Sequence, residues 1–362
     1  MIRVMEAKDM WPEVTVHVCE KARMQPGLTL VNFSNHAVGA PLEAAIITPE
    51  GEMVWRHQRR SDAEMWGRKV DHVADLRGDI DVRTVEEGVL IGGTNINEGV
   101  GRVHAVLVGW DGKILWECPV INHHHIHRTQ EGSYMFLLAD RRPFEKFGGR
   151  MLVGDQIVEW DPRRNAPVWD WHLFDHHEPE VDRRDYSHAN TIEPVPGEEA
   201  YIVSCRNMNS LVKVDRKSGE IVWRLGVGGD FEMGPEDYFY HQHSPEIQPN
   251  GNILLFDNGT GRPAEAGGEY SRAVELEVDE RGMKARAVWS WRHEPDLYCP
   301  IWSDADRLPN GNTLITFGTR TEGDTTRYVE VTPDGEVVWE VELTPSGWGT
   351  YRAERILRKI PL

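Results

Sequence analysis

A chain of 362 residues with 40 Lys and Arg against 59 Asp and Glu carries a formal charge of -19. That balance argues against a nucleic-acid partner, which demands a basic patch to neutralise phosphates. No apolar run approaches the ~20 residues that span a bilayer, so no membrane partner is expected either. The length suits two average domains or one closed all-β fold. The four cysteines, Cys19, Cys118, Cys205 and Cys299, stand far apart without a C-x-x-C pair, which argues against a zinc knuckle and for scattered reduced thiols. The first residues lack a basic start followed by an apolar core. A cytoplasmic location is therefore expected, and an exported one if a leader had been trimmed.

In chain order, one strand–turn–strand phrase is stated six times. A strand at Leu28 to Phe33 leads to a hairpin ending on Gly51 to Trp55. Val89 to Gly92 and the alternating Ala105 to Val108 lead through Asp111-Gly112 to Trp116. Tyr134 to Leu138 and Ile157 to Trp160 run over Arg163-Arg164-Asn165 to Val168-Trp169. Tyr201 to Cys205 precedes Gly219 to Trp223. Asn252 to Phe256 precedes Val274 to Val278 and, past Arg281-Gly282, Val288-Trp289. Thr313 to Phe317 precedes Tyr328 to Val331 and Gly335 to Trp339. Asp111-Gly112 and Asp334-Gly335 are hairpin signals, since Gly accepts the positive φ of a two-residue turn. Phrases spaced by roughly 50 to 65 residues match four-stranded propeller blades with variable loops.

The expected fold is all-β, a six-bladed β-propeller occupying residues 1–362 as a single domain. Trp55, Trp116, Trp223 and Trp339 are expected to pack between neighbouring blades. The last strand, Tyr351 to Ile356, has no hairpin after it, and Leu28 to Phe33 has no partner before it. The C-terminal segment is thus expected to supply the innermost strand of the first blade, removing the edges that an open ring would leave.

Aligned on their turn glycines, the phrases put His124 eight residues before Gly132, His243 eight before Gly251 and Ser303 eight before Gly311. His188 holds the same place ahead of a longer turn. Arg352 stands four residues before Ile356, as His243 stands before Ile247. First strands of blades line the central channel, so three histidines and an arginine are expected to face one pocket. A lone histidine of this kind more often caps a loop; three at one repeat position point to a site. Arg206, ending the strand after His188, and Arg128, just after His124, add fixed positive charge. Such a pocket suits a small anionic, tetrahedral group such as sulfate or phosphate. Cationic neighbours keep an imidazole neutral, and a neutral imidazole serves as nucleophile or general base. His241, two residues before His243, shares its strand face. Tyr238, Tyr240, Tyr298 and Trp302 lie beside these strands and offer rings to an aromatic ligand.

Five motifs together resemble the bacterial arylsulfotransferase (arylsulfate sulfotransferase) family from about residue 40 onward. They are His123-His124-His125-Ile126, Ser187-His188-Ala189-Asn190-Thr191-Ile192, Cys205-Arg206-Asn207-Met208-Asn209-Ser210, Gly219 to Gly226, and Gln242-His243-Ser244-Pro245 running to Asn250-Gly251. The resemblance implies a six-bladed propeller that moves sulfate from a phenolic sulfate ester to another phenol. It implies no cofactor, no nucleotide sulfate donor and a sulfohistidine intermediate in a ping-pong cycle. His243 then matches the nucleophile and His124 a substrate-binding histidine. His188 and Asn190 match a His-x-Asn pair, and Arg206 the sulfate-binding arginine. His243, His188 and His124 are thus the catalytic candidates, with Asn190, Arg206, Arg352, Arg128 and His241 around the substrate.

Two departures stand out. The best-known members are larger, exported and carry an N-terminal β-domain, and where the family has His-His-Asp this chain has His123-His124-His125. Two other readings stay open. One is a metal-dependent propeller lyase acting on a uronate-type sugar, drawing on His123 to His127, Asp175-His176-His177 and His241 with His243. The other is a non-enzymatic binding propeller, against which the aligned histidines count.

Overall fold

The computed structural model describes residues 12–35, 40–58, 81–92, 105–318, 325–344 and 348–361. Among these residues the chain is almost entirely β, and its strands make six antiparallel blades, the arrangement of a six-bladed β-propeller. The blades fall into two compact units, Met1–Asn122 with Trp302–Leu362, and His123–Ile301.

The first unit holds three blades, numbered here in chain order. Blade 1 is Leu28–Asn35, Ala40–Ile47 and Met53–Gln58; blade 2 is Val82–Val85, Gly88–Ile91, Val106–Gly109 and Ile114–Glu117. Blade 6 is Asp304–Arg307, Thr313–Phe317, Thr326–Val331 and Val337–Thr344. The expected closing strand is present: Ala353–Ile356 pairs antiparallel with blade 1, Ile356 against Leu28 and Ala353 against Val31. A second closure was not foreseen. Glu13–Cys19 adds a fifth, outer strand to blade 6 along Val337–Thr344. Its effect is visible in one repeat position. Val54, Leu115 and Val222, each just before the repeat tryptophan, are 44%, 53% and 53% exposed, whereas Val338 is 0% exposed. The extra strand covers an apolar outer edge that other blades leave open.

One buried carboxylate ties both closures together. Glu330 Oε2 lies 3.0 Å from Arg355 Nη2, neither side chain reaching solvent. The Glu330 Oε1 atom accepts from Gln25 N–H at 2.5 Å and from Asn312 Nδ2 at 2.7 Å. The Arg355 guanidinium also lies 5.0 Å over the Trp339 ring.

The second unit holds blade 3 (His123–Arg128, Tyr134–Phe144, Arg150–Asp161, Ala166–His172), blade 4 (Ala189–Pro194, Ala200–Cys205, Ser210–Asp215, Ile221–Gly226) and blade 5 (His243–Ile247, Ile253–Asp257, Arg272–Asp279, Lys284–Trp291). Apolar side chains of adjacent blades share a core: Leu137, Ile157, Ile192 and Val203 between blades 3 and 4, Leu211, Trp223, Leu255 and Val274 between blades 4 and 5.

The recurrent tryptophan has a polar reason as well as an apolar one. Trp55 Nε1–H donates to Trp110 O at 3.2 Å, Trp169 to Arg216 O at 3.0 Å and Trp339 to Pro49 O at 2.9 Å. Each indole thus reaches the outer turn of the next blade, burying a large ring while its N–H stays satisfied. The outer hairpin of every blade also carries a register shift at one equivalent place, between Ile46 and Ile47, Leu107 and Val108, Glu159 and Trp160, Lys213 and Val214, Glu275 and Leu276, and Glu330 and Val331. Such bulges sharpen the twist of the outer strand.

Glu330→Ala leaves the Arg355 charge buried without its partner, an arrangement that costs about 3–5 kcal/mol. Urea unfolding followed by tryptophan fluorescence should show a loss of that size. A loss below about 1 kcal/mol would mean that the closure does not depend on this pair.

Candidate functional site

The three inner strands of the second unit begin alike. His123 pairs with Leu137, Ala189 with Cys205 and His243 with Phe256, and just beyond each pairing the register shifts. A left-handed residue sits at each entry: His124 at φ 51°, His188 at φ 49° and Ser244 at φ 51°. This corrects the one-position alignment of the histidines. Leu137 and Phe256 both lie five residues past their turn glycine, so by ladder position the counterpart of His243 is His123, and that of His124 is Ser244. The bulges make up the difference of one residue. The His124 and His188 rings meet edge-on at 4.9 Å between centroids, with planes at 73°. His243 and Arg206 are close enough to weigh electrostatically on His124.

Blade 3 builds one wall through unusually long middle strands of 11 and 12 residues. Val153 bridges Asp185 in parallel: its N–H donates to Arg184 O at 2.7 Å, and its carbonyl accepts from Tyr186 N–H at 2.8 Å. Two residues on, Asp155 Oδ2 accepts from the Ser187 hydroxyl at 2.5 Å and from Ala189 N–H at 2.7 Å. From the other side, Asn207 N–H donates to Ser187 O at 3.0 Å and Asn207 Nδ2 to Asp185 O at 2.8 Å. The segment carrying His188 is thereby clamped by two blades. His188 Nδ1–H donates to Asp185 Oδ2 at 2.6 Å. Burial pushes the Asp185 carboxyl up, but the His188 hydrogen bond and the Arg206 charge help to outweigh it and hold it below the usual carboxylate range.

Blade 5 supplies His243. Gln242 Nε2 donates to Ser204 Oγ and Ser210 O, both at 3.1 Å, and Asn190 Nδ2 donates to Gln242 O at 2.8 Å. Asn258 Nδ2 donates to Cys299 O at 2.7 Å, which turns its Oδ1 toward His243 Nδ1, 2.7 Å away. That oxygen can only accept, so the neutral His243 ring holds its proton on Nδ1 and its lone pair on Nε2. Burial, then the Arg206 charge, hold His243 well below the ordinary histidine range against the upward pull of Asn258. His124 is likewise held low by burial and by His188, His123, His243 and Arg206. His241 is lowered to about 4, by burial first and Arg206 second. Its Nδ1–H donates to Thr260 O at 2.6 Å.

The sequence candidates therefore separate. His124, His188, His243 and Arg206 belong to one cluster, with His241 beside it. Arg206 donates to Asn207 Oδ1 at 2.8 Å and to Pro300 O at 3.1 Å. Asn190, fully buried, donates from its amide to Gln242 O and so holds the main chain leading into His243. Arg128 is at the far end of its strand, opposite Tyr134 and next to the turn, while His124 is at the entry. Arg352 belongs to the first unit, where its Nε lies 2.9 Å from Asp81 and 3.6 Å from Asp304.

Among the rings, Tyr298 hydrogen-bonds Thr260 Oγ1 at 3.1 Å, and Tyr240 lies beneath Arg262. Trp302 is a buried core residue of the first unit. His176 stacks on Trp171 and His177 hydrogen-bonds Tyr186, so both serve packing. Among the described residues no three His, Cys, Asp or Glu side chains converge as metal ligands. Asp155, Asp185 and Asn258 are the parts that sequence reasoning missed, and His123 enters that reasoning only within its motif and as a metal ligand. Only Asp185, three residues before a candidate histidine, carried a local signal.

A profile described as arylsulfotransferase (ASST) matches residues 21–352. The arylsulfate sulfotransferase AssT of Escherichia coli is 28% identical over 37% of this chain and 28% of its own length. The protein of the same name from Lelliottia amnigena is 33% identical over 30% of this chain and 19% of its own. The aligned stretch spans less than a third of either relative. In fold alone, the chain resembles the crystal structure of a protein of unknown function from Bacteroides caccae, with a TM-score of 0.55 at 14% identity over 91% of this chain and 100% of that one.

The depressed histidines make stability pH-dependent with a definite sign. An unfolded histidine takes up its proton near pH 6.5. His241 does so only at about 4 when folded, so between those values the unfolded state binds more protons and stability falls as pH falls. Urea midpoints should be level above pH 7 and decline steadily from pH 6.5 to 4. His241→Gln should flatten that decline, and an unchanged slope would reject the assignment.

Proposed function

The chain belongs to the arylsulfotransferase family, and from that premise we propose that it moves a sulfuryl group from an aryl sulfate ester to a phenol through a sulfohistidine at His243 Nε2. The observation that carries this reading is the pairing of Asn258 with His243. It leaves the lone pair of a buried neutral imidazole on Nε2, in the field of Arg206. A nucleophilic histidine needs that state, because the protonated ring has no lone pair to offer sulfur.

In the first half-reaction, His243 Nε2 bonds to sulfur as the S–O bond to the phenolic oxygen breaks. In the second, the acceptor oxygen bonds to sulfur and the S–N bond breaks, returning the electron pair to His243. Charge that builds on the sulfuryl oxygens is met by Arg206, whose planar fork suits paired oxygens. His124 and His188, edge-on to one another, complete the lining. The substrate is a small anionic aromatic molecule, and neither a nucleotide donor nor a metal has a part in the scheme.

The wild-type protein should release phenol from a chromogenic aryl sulfate faster when an acceptor phenol is added. His243→Ala should abolish release, and Arg206→Met should lower kcat/KM by about 10²–10³, the size of losing one preorganised donor. Absence of release by the wild type across a broad panel of aryl sulfates would refute the proposal, as would full activity of His243→Ala.

A further inference from the structure

His123 is held between a carboxylate and a second imidazole, and all three are buried: Asp155 is 5% exposed, His123 2% and His124 1%. His123 Nε2 lies 3.2 Å from Asp155 Oδ1, and His123 Nδ1 lies 2.9 Å from His124 Nδ1. The two atoms of the first pair are at ion-pair distance without forming a hydrogen bond, and a carboxylate charge that close favours a proton over a lone pair on the His123 nitrogen beside it. The neutral His123 ring then turns an unprotonated Nδ1 toward His124. One proton fits between two nitrogens at that distance, and His124 must supply it. His124 is thereby set as the tautomer with its proton on Nδ1 and its lone pair on Nε2. The other charged or titratable groups facing this chain are His188 with its partner Asp185, His243, Arg206, and Cys205 beside Asp155.

We propose that Asp155 and His123 are positioning residues that fix the His124 tautomer, and thereby make His124 the proton carrier of both half-reactions. The inference rests on the sulfuryl-transfer reading of the cluster. When an acceptor phenol attacks, its O–H proton passes to His124 Nε2 while its oxygen bonds to sulfur and the S–N bond to His243 breaks. The imidazolium that forms keeps its Nδ1–H on His123, whose own Nε2–H faces the Asp155 charge. This is the division of labour between base and orienting acid seen in nucleophile–base–carboxylate triads. In the next turnover the departing phenolate takes that proton from His124 Nε2 as His243 bonds to sulfur. One aryl sulfate and one phenol exchange the sulfuryl group, and no other reactant is consumed. The carboxylate that the motif His123-His124-His125 lacks in sequence arrives from the third strand of the same blade.

Asp155→Asn tests this with little change of shape. Ala189 N–H still requires an acceptor, so the amide oxygen takes the Oδ2 place and the Nδ2 group faces His123 Nε2. That nitrogen must now accept, and the His123 proton moves to Nδ1. It then donates to His124, whose own proton is displaced to Nε2, where the lone pair is lost.

With a donor whose phenol is strongly acidic, the burst of phenolate should stay within about 3-fold of wild type, since such a leaving group needs no proton. Turnover to a weakly acidic acceptor should fall by about 10²–10⁴. The deficit should shrink for acceptors already ionised at the assay pH, and donor KM should not move. His123→Phe should reproduce the pattern. Equal losses of burst and turnover, or a loss indifferent to acceptor acidity, would overturn the positioning role.

If wild-type protein gives no burst, the sulfuryl-transfer reading fails separately, and the tautomer remains measurable in the unaltered protein. Ring ¹⁵N shifts of His124 should report a protonated Nδ1 and a bare Nε2. The reverse assignment would overturn the inference even if the variants do not fold.

Discussion

Taking His124 and His243 out of water beside a guanidinium makes their charged forms costly, and a neutral imidazole has a single proton for two nitrogens. Which nitrogen bears it decides what the ring can do. The surroundings of the cluster are organised around that choice. Asn258 settles it for His243, because its own amide is turned by the Cys299 carbonyl. Asp155 settles it for His124 through His123, and is itself anchored by Ser187 and Ala189. Asp185 faces His188 Nδ1 directly. Each histidine that faces its neighbours in this cluster is therefore backed by a second polar group.

The same backing sustains a strained backbone. His124, His188, His241 and Ser244 all adopt left-handed φ near 50°, a region that costs a non-glycine residue roughly 1–2 kcal/mol. Four such residues within one unit persist because neighbouring strands over-determine them. Val153, Asp155 and Asn207 hold the approach to His188, while Asn209 and Gln242 hold the approach to His243. Strain and hydrogen bonding are two sides of one device. The kink lifts a ring out of the ladder, and the clamp keeps it aimed.

The repeat was legible because its signals are local. A Gly turn followed four residues later by Trp reports a hairpin in four of the six phrases, and an indole that reaches the next blade gives that spacing a reason. The site histidines were legible for the same reason, as departures from the repeat at its inner-strand entries. What surrounds them was not. Asp155 lies thirty-two residues after His123, and comes near it only because Leu137 pairs with both His123 and Ile157, which leaves Asp155 two residues beyond that level on the third strand. Asn190 stood out through its match to the family's His-x-Asn pair, and nothing in the sequence showed that its amide also donates to the Gln242 carbonyl in the next blade. The fifth strand of blade 6 escaped notice although Val14, Val16 and Val18 alternate with polar residues, because it stands outside the repeated phrase and nothing near it in sequence announces a partner more than three hundred residues away.

Two arginines with the same sequence credentials show why charge has to be read in three dimensions. Arg352 lies against Asp81 and Asp304, so its guanidinium is part of a balanced buried network. Arg206 donates to an amide oxygen and a main-chain carbonyl, both uncharged, and its positive charge is felt as a depressed proton affinity at His124, His241 and His243. The carboxylates of the histidine cluster, Asp155 and Asp185, are directed instead at imidazole nitrogens. Negative charge in the cluster thus lies beside imidazole nitrogens, while the Arg206 charge bears on the rings of His124, His241 and His243.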